Sequence, residues 1–210
     1  MTTEKLKEYV LQCGEQPTLN LWSDMIDSAV KQAGKRKAVV IDYIPVSSEE
    51  LKRIDILPGT QLRRFAFTLL CLSKYFDIVK PNNDHWICLD HKDIMKLANI
   101  KTSIKRQAVM MKQLEDSGYL LFPKKVDSIS MKVLYQSPSD EDLLITNFKN
   151  LGYQYLKYKG EPYFECENCG TTVKINDPNA KKKQKYCIEC AAKIKIEQTL
   201  ARRKTIKSSN

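Results

Sequence analysis

The sequence predicts an α+β fold, mainly helical, in which a winged helix-turn-helix domain is followed by a small four-cysteine metal module. Three observations carry that expectation. Between residues 46 and 137, segments with helical and strand spacing alternate in a fixed order, helix, short strand, helix, turn, helix, hairpin. Four cysteines fall into two C-x2-C pairs, Cys166/Cys169 and Cys187/Cys190, separated by seventeen residues. The composition changes across Ser137–Asp142, which marks the boundary between the two parts. The expected organisation is a helical extension over 1–45, the winged domain over 46–137 and the cysteine module over 143–205.

In chain order, Thr3–Leu11 and Leu19–Ala33 have helical spacing, and Ala38–Tyr43 is a β-rich run ended by Pro45. Ser47-Ser48-Glu49-Glu50 has the pattern of a capping box: a serine oxygen takes a free backbone N–H and a glutamate three residues on reaches back. Pro58-Gly59 closes that helix. Gln61–Val79 then places Leu62, Phe65, Ala66, Leu69, Leu70, Leu72 and Phe76 on one wide apolar face, the spacing of a core helix. Trp86–Cys88 reads as a short strand, and Cys71 and Cys88, with apolar neighbours, read as small core residues. Asp90 caps a helix through Leu97, Asn99–Lys101 turns the chain, and Thr102 or Ser103 caps a second helix that runs to Ser117 and stops at Gly118. Tyr119–Phe122 and Ile129–Tyr135 alternate as the arms of a hairpin. Asp140-Glu141-Asp142 reads as a solvated linker.

Two residues between the cysteines of a pair let both sulfurs turn toward one ion, and two such knuckles supply the four thiolates of a closed tetrahedral site. One structural Zn²⁺ held by Cys166, Cys169, Cys187 and Cys190 is therefore expected. The second pair runs into Ala191–Leu200, helical in composition, so a treble clef is expected, with a β-ribbon as the alternative.

Net charge is +10, and its distribution is uneven. Ten basic residues against two acids lie beyond position 180, leaving +2 for the first 180 residues. A basic stretch around a metal site points to an anionic partner. Lys181, Lys182, Lys183, Lys185, Lys193, Arg202 and Arg203 are its candidate phosphate contacts. In the helix from Thr102, Ile104, Ala108, Met111 and Leu114 are expected to face the core, leaving Ser103, Lys105, Arg106, Gln107 and Lys112 outward, where Arg can pair with guanine and Gln with adenine. Lys124, Lys125 and Lys132 on the hairpin would hold phosphates.

The segments Gln61–Leu72, Ile104–Gln107 and Gly152–Leu156 resemble uncharacterised proteins encoded by bacterial phages and prophages, over roughly residues 45 to 205. That resemblance implies a mobile-element setting and a bacterial host cell, and it carries no activity with it.

The expected function is a nucleic-acid-binding regulator or accessory factor acting on duplex DNA. The alternative is a phage inhibitor or adaptor that docks on a host nucleoprotein complex such as a defence nuclease. No P-loop, G-x-S-x-G or H-E-x-x-H pattern occurs, and the two histidines, His85 and His91, flank a strand without a nucleophile pattern, so no enzyme and no small-molecule substrate are expected. With no apolar run of about 18 residues and no apolar leader, a cytoplasmic protein without a membrane segment is expected.

Overall fold

The computed structural model describes residues 26–32, 39–124, 129–137, 141–177, 179 and 184–208, with side chains as far as 202. The chain divides into two compact units, 1–40 and 41–210. In the first, residues 26–32 form a helix, α1, within the expected Leu19–Ala33 segment. The expected Thr3–Leu11 helix and Cys13 lie outside the described residues.

The second unit begins with strand β1, Ile44–Ser47. It lies just beyond the expected Ala38–Tyr43 run, because Ile44 and Val46 are the residues that alternate into the core while Val39, Val40 and Tyr43 stay exposed. Helix α2, Ser48–Ile56, opens on the capping box: Ser47 Oγ accepts from Glu50 N, and Glu50 Oε2 accepts from Ser47 N at 2.8 Å. Glu50 is fully buried, yet it also receives Lys74 Nζ at 2.8 Å and Ser137 N at 2.9 Å. A buried carboxylate stands only with such a set of donors.

Helix α3, Thr60–Val79, is the axis of the core, burying Leu62, Phe65, Ala66, Leu69, Leu70 and Leu72 as their spacing requires, and Phe67 besides. Strand β2, Trp86–Cys88, follows, then α4, His91–Leu97, capped by Asp90, and α5, Ile104–Asp116, capped by Ser103. Gly118 ends α5 at φ +74°, a conformation that favours residues without a Cβ. Strands β3, Leu120–Leu121, and β4, Ser130–Val133, complete an antiparallel sheet in the order β2-β4-β3. Cys71 is buried there, whereas Cys88 is exposed, at the solvent-facing end of a three-residue strand, and not a core residue.

Residues Glu141–Ile145, which include part of the expected linker, form strand β5 antiparallel to β1, with Ile44 opposite Ile145. Helix α6, Leu151–Tyr158, then packs on α3 and adds Leu151, Tyr155 and Leu156 to the same core. Strand β5 and helix α6 thus pack with the larger core, and α6 also lies against the hairpin that carries the first two cysteines. What remains is a hairpin of β6, Tyr163–Glu165, and β7, Thr172–Lys174, followed by helix α7, Ile188–Ser208. The whole is α+β, with small antiparallel sheets and a cysteine cluster. No described helix is long and apolar enough to cross a membrane.

Candidate metal centre and basic surfaces

Cys166 and Cys169 sit in the turn that joins β6 to β7, and Cys187 and Cys190 at the start of α7. The hairpin turn is closed by Gly170 N to Cys166 O at 2.8 Å and Cys166 N to Thr171 O at 3.0 Å. Glu167 N to Lys185 O, 3.0 Å, brings the second pair alongside. All four sulfurs lie within 4.8 Å of one another, and Cys169 Sγ is 3.9 Å from Cys187 Sγ. Metal–sulfur bonds of ~2.3 Å in a tetrahedron put sulfurs about 3.8 Å apart, so the cluster has the dimensions of one four-coordinate ion. Three of the four cysteines are buried, and among the described residues Val173 and Tyr186 pack on them as half-buried apolar side chains.

The sulfurs are surrounded by donors suited to thiolates. Asn168 Nδ2 approaches Cys190 Sγ at 3.3 Å, Cys190 N approaches Cys187 Sγ at 3.4 Å, and Thr171 Oγ1 lies 3.3 Å from Cys169 Sγ. Burial opposes ionisation of Cys166, but the backbone N–H groups of Cys187, Asn168 and Cys169 outweigh it and bring the thiol down to about 6. The Thr171 hydroxyl and backbone also lower Cys169. At Cys190 the Asn168 amide favours the thiolate, yet hydrogen bonding of the Cys190 S–H to Cys187, together with burial and hydrogen bonding to Cys169 and Cys166, pushes it up to about 12. A dication among the four would take the place of those shared protons. The residues therefore fit a structural metal held with no open ligand position.

Comparison with family models, curated proteins and solved structures found no match.

The expected nucleic-acid contacts separate into three groups. Lys105 and Arg106 on α5, Lys124 after β3, and Lys193 and Arg202 on α7 are exposed and have no ion-pair partner among the described residues. Others are engaged: Ser103 Oγ caps α5 by accepting from Arg106 N, Gln107 Nε2 donates to Thr102 O at 3.2 Å, and Lys112 pairs with Glu115 and Asp116 at 3.0 and 2.9 Å. Lys132 is tied to Asp84, and Lys185 to Glu167. Lys125, Lys181, Lys182, Lys183 and the Arg203 side chain lie outside the described residues.

The inward face of α5 also differs from expectation. Met110 and Leu114 are buried and Gln107 and Met111 half-buried, while Ile104 is 76% exposed and Ala108 is exposed. The core reaches only as far as the second turn of α5, so its first turn overhangs into solvent. Gln107 thereby faces the turn before the helix and not outward.

Sequence spacing gives no sign of the link between the cysteine module and the helix pair. Asn99, between α4 and α5, donates through Nδ2 to Asn150 Oδ1 at 2.8 Å, and Asn150 Nδ2 donates to Thr172 O in β7 at 3.0 Å. Asn147 Nδ2 donates to Cys169 O at 2.9 Å. Both Asn99 and Asn150 have left-handed backbones, φ +57° and +56°, which asparagine tolerates well. Gly152 in α6 lies against the α4 terminus so closely that a Cβ there would fall 1.9 Å from Ala98 O. Arg64 from α3 donates to Ala98 O and Asn99 O, with its guanidinium over Tyr153. Three asparagines before helices or in turns are the only trace of this in the sequence.

Proposed function

We propose that the protein is a nucleic-acid-binding regulator or accessory factor, of phage or mobile-element setting, that engages duplex DNA through a winged helix and a basic zinc module. The observation that carries the reading is α5: Lys105 and Arg106 stand exposed, with no ion-pair partner among the described residues, on the second of two consecutive helices joined by a short turn, in the same unit as the β2-β4-β3 sheet. The order helix, strand, two helices and a two-stranded hairpin supports a winged helix-turn-helix reading, in which the second helix would enter the major groove. Zinc is the metal the reading assigns to the four cysteines, because four thiolates in a closed tetrahedron suit it best. The position of the two knuckles, one in a hairpin and one at a helix start, supports the treble-clef reading over a plain β-ribbon.

The base-reading role falls to Lys105 and Arg106, since Gln107 and Lys112 are otherwise engaged. Replacing both by Ala should lower preference among duplex sequences by about 1–3 kcal/mol for each base no longer read, with the melting temperature little changed. Unchanged preference in that variant would remove α5 as the reader.

One observation favours the alternative, docking on a host nucleoprotein complex. Ile104 lies 76% exposed beside Lys105, and Ile188 79% exposed on α7. Such branched apolar side chains, Ile104 next to Lys105 and Ile188 next to Glu189, suit a protein partner better than a base edge. Retention of a host protein by the wild type and its loss on Ile104→Ser and Ile188→Ser, with DNA affinity intact, would bring this reading forward.

A further inference from the structure

Five lysines that no motif picks out are brought together by the link between the helix pair and the cysteine hairpin. Lys92 and Lys96 are one turn apart on the exposed face of α4, Lys101 lies in the turn before α5, Lys149 precedes α6 and Lys174 ends β7. All five are exposed, and none has an ion-pair partner among the described residues. The contrast with Lys112, Lys132, Lys157, Lys159 and Lys185 is sharp, for each of these holds a carboxylate.

Two adjoining clefts connect the five. The narrower, about 500 Å³, is lined by Lys92, Lys96 and Lys101 with the amides of Asn99, Gln107 and Asn150, and no acid. The wider, about 900 Å³, continues past Lys96 to Lys149 and Lys174, with Asp93 and Glu189 on its wall. Lys96 and Asn150 line both, so the positive surface is continuous and strongest at the narrow end, where α5 begins. Its walls come from different segments, but Asn99–Asn150–Thr172 bonding and the seating of Gly152 on Ala98 hold them together. Such a surface is preorganised: ordering the backbone on which the lysines stand costs nothing further on binding.

We infer that Lys92, Lys96, Lys101, Lys149 and Lys174 form one phosphate track along these clefts, which takes the backbone of a nucleic-acid strand while α5 meets the bases. The inference rests on the nucleic-acid reading above and assigns it a second surface. Rows of unpaired cations fix the register of a duplex without reading its sequence. The occupant is set by charge: three lysines converge on the narrow cleft with hydrogen-bonding amides between them, and no acid lines it among the described residues.

The test uses the full-length, metal-loaded chain and a fluorescent duplex of mixed sequence, titrated at several salt concentrations. Two variants reverse charge on opposite walls, Lys92→Glu with Lys96→Glu and Lys149→Glu with Lys174→Glu. A third, Lys52→Glu with Lys80→Glu, makes the same charge change on exposed lysines that line neither cleft. Both wall variants should weaken binding at least about tenfold more than the control and flatten the slope of log K against log salt by about 0.9 for each phosphate no longer neutralised. Sequence preference should survive in them, whereas Lys105→Ala with Arg106→Ala should lose preference and keep most of the slope. Wild-type affinity and slope in both wall variants would overturn the track and leave the nucleic-acid reading standing. A wild-type chain that binds neither duplex nor single strand would overturn both. Tighter binding of a polyglutamate peptide than of DNA, abolished in the wall variants, would make the surface a dock for an acidic protein and also overturn the track.

Discussion

The larger core and the cysteine module are built on opposite principles. In the first, α3 is wrapped by β1, β5, the β2-β4-β3 sheet and four helices, and its buried residues are almost all apolar. In the second, the buried centre is three cysteines with Val173 and Tyr186 beside them, too little apolar surface to offset the entropy of ordering a hairpin and a helix start. A metal held by the four thiolates would do there what hydrophobic burial does in the core. The charge follows the same division: the cysteine module leaves most of its described side chains exposed, as Lys193 and Arg202 on α7, without an ion-pair partner among the described residues, illustrate.

The largest effect that distinguishes the two is metal removal. Structural zinc is worth about 10–16 kcal/mol of apparent folding free energy in small modules, so chelation, or Cys187→Ser, should unfold residues 161–200 and leave the α3-centred core folded. Selective loss of amide signals from the module in an NMR spectrum would report it, and metal analysis of the intact chain should give a ratio near one. Acid should do the same. Thiolate ligands must shed protons to bind, so falling pH favours protons over metal. Loss of the core together with the module would mean that the two are not separately stabilised.

The complementary change is Phe65→Ala in α3. Phe65 is fully buried, and its removal leaves a cavity costing about 3–5 kcal/mol. Thermal or denaturant unfolding should show that loss, with the metal ratio unaltered at temperatures where the protein is still folded. A large drop in metal affinity would reveal that the module depends on the core more than its own centre suggests.

Much of this division is legible in the sequence, and the exceptions have a common cause. Ser47, Asp90 and Ser103 cap the helices that their sequence positions indicate, and the four cysteines meet, because each pattern is local or set by ligand chemistry. The pairing of Ile44 with Ile145 is not legible: the partners are far apart in the chain, and Glu141 and Asp142, exposed on an edge strand, look like solvated loop. The buried face of α5 departs from its expected position because two apolar spacings overlap at Met111 and Leu114, and the sequence does not say where the core beneath the helix ends. Lys92, Lys96, Lys101, Lys149 and Lys174 carry no pattern at all, since separate segments bring them together.

The smallest expected effect tests the joint between the two regions. Gly152→Ala adds one methyl group where it would meet Ala98 O at 1.9 Å, so α6 must shift away from the end of α4. Overpacking of this kind costs about 1–3 kcal/mol. That methyl meets the backbone of Ala98 at the margin of the core and none of the four sulfurs, so metal content should stay at one per chain and the protein should still unfold cooperatively. What should change is the Asn99–Asn150–Thr172 relay, because Asn150 sits two residues before the displaced position. Faster hydrogen exchange confined to residues 98–102 and 147–153 would show a loosened joint between two intact regions. Exchange spreading through α7 would show instead that the metal module depends on this joint for its own stability, and the division would then be one of chemistry and not of folding.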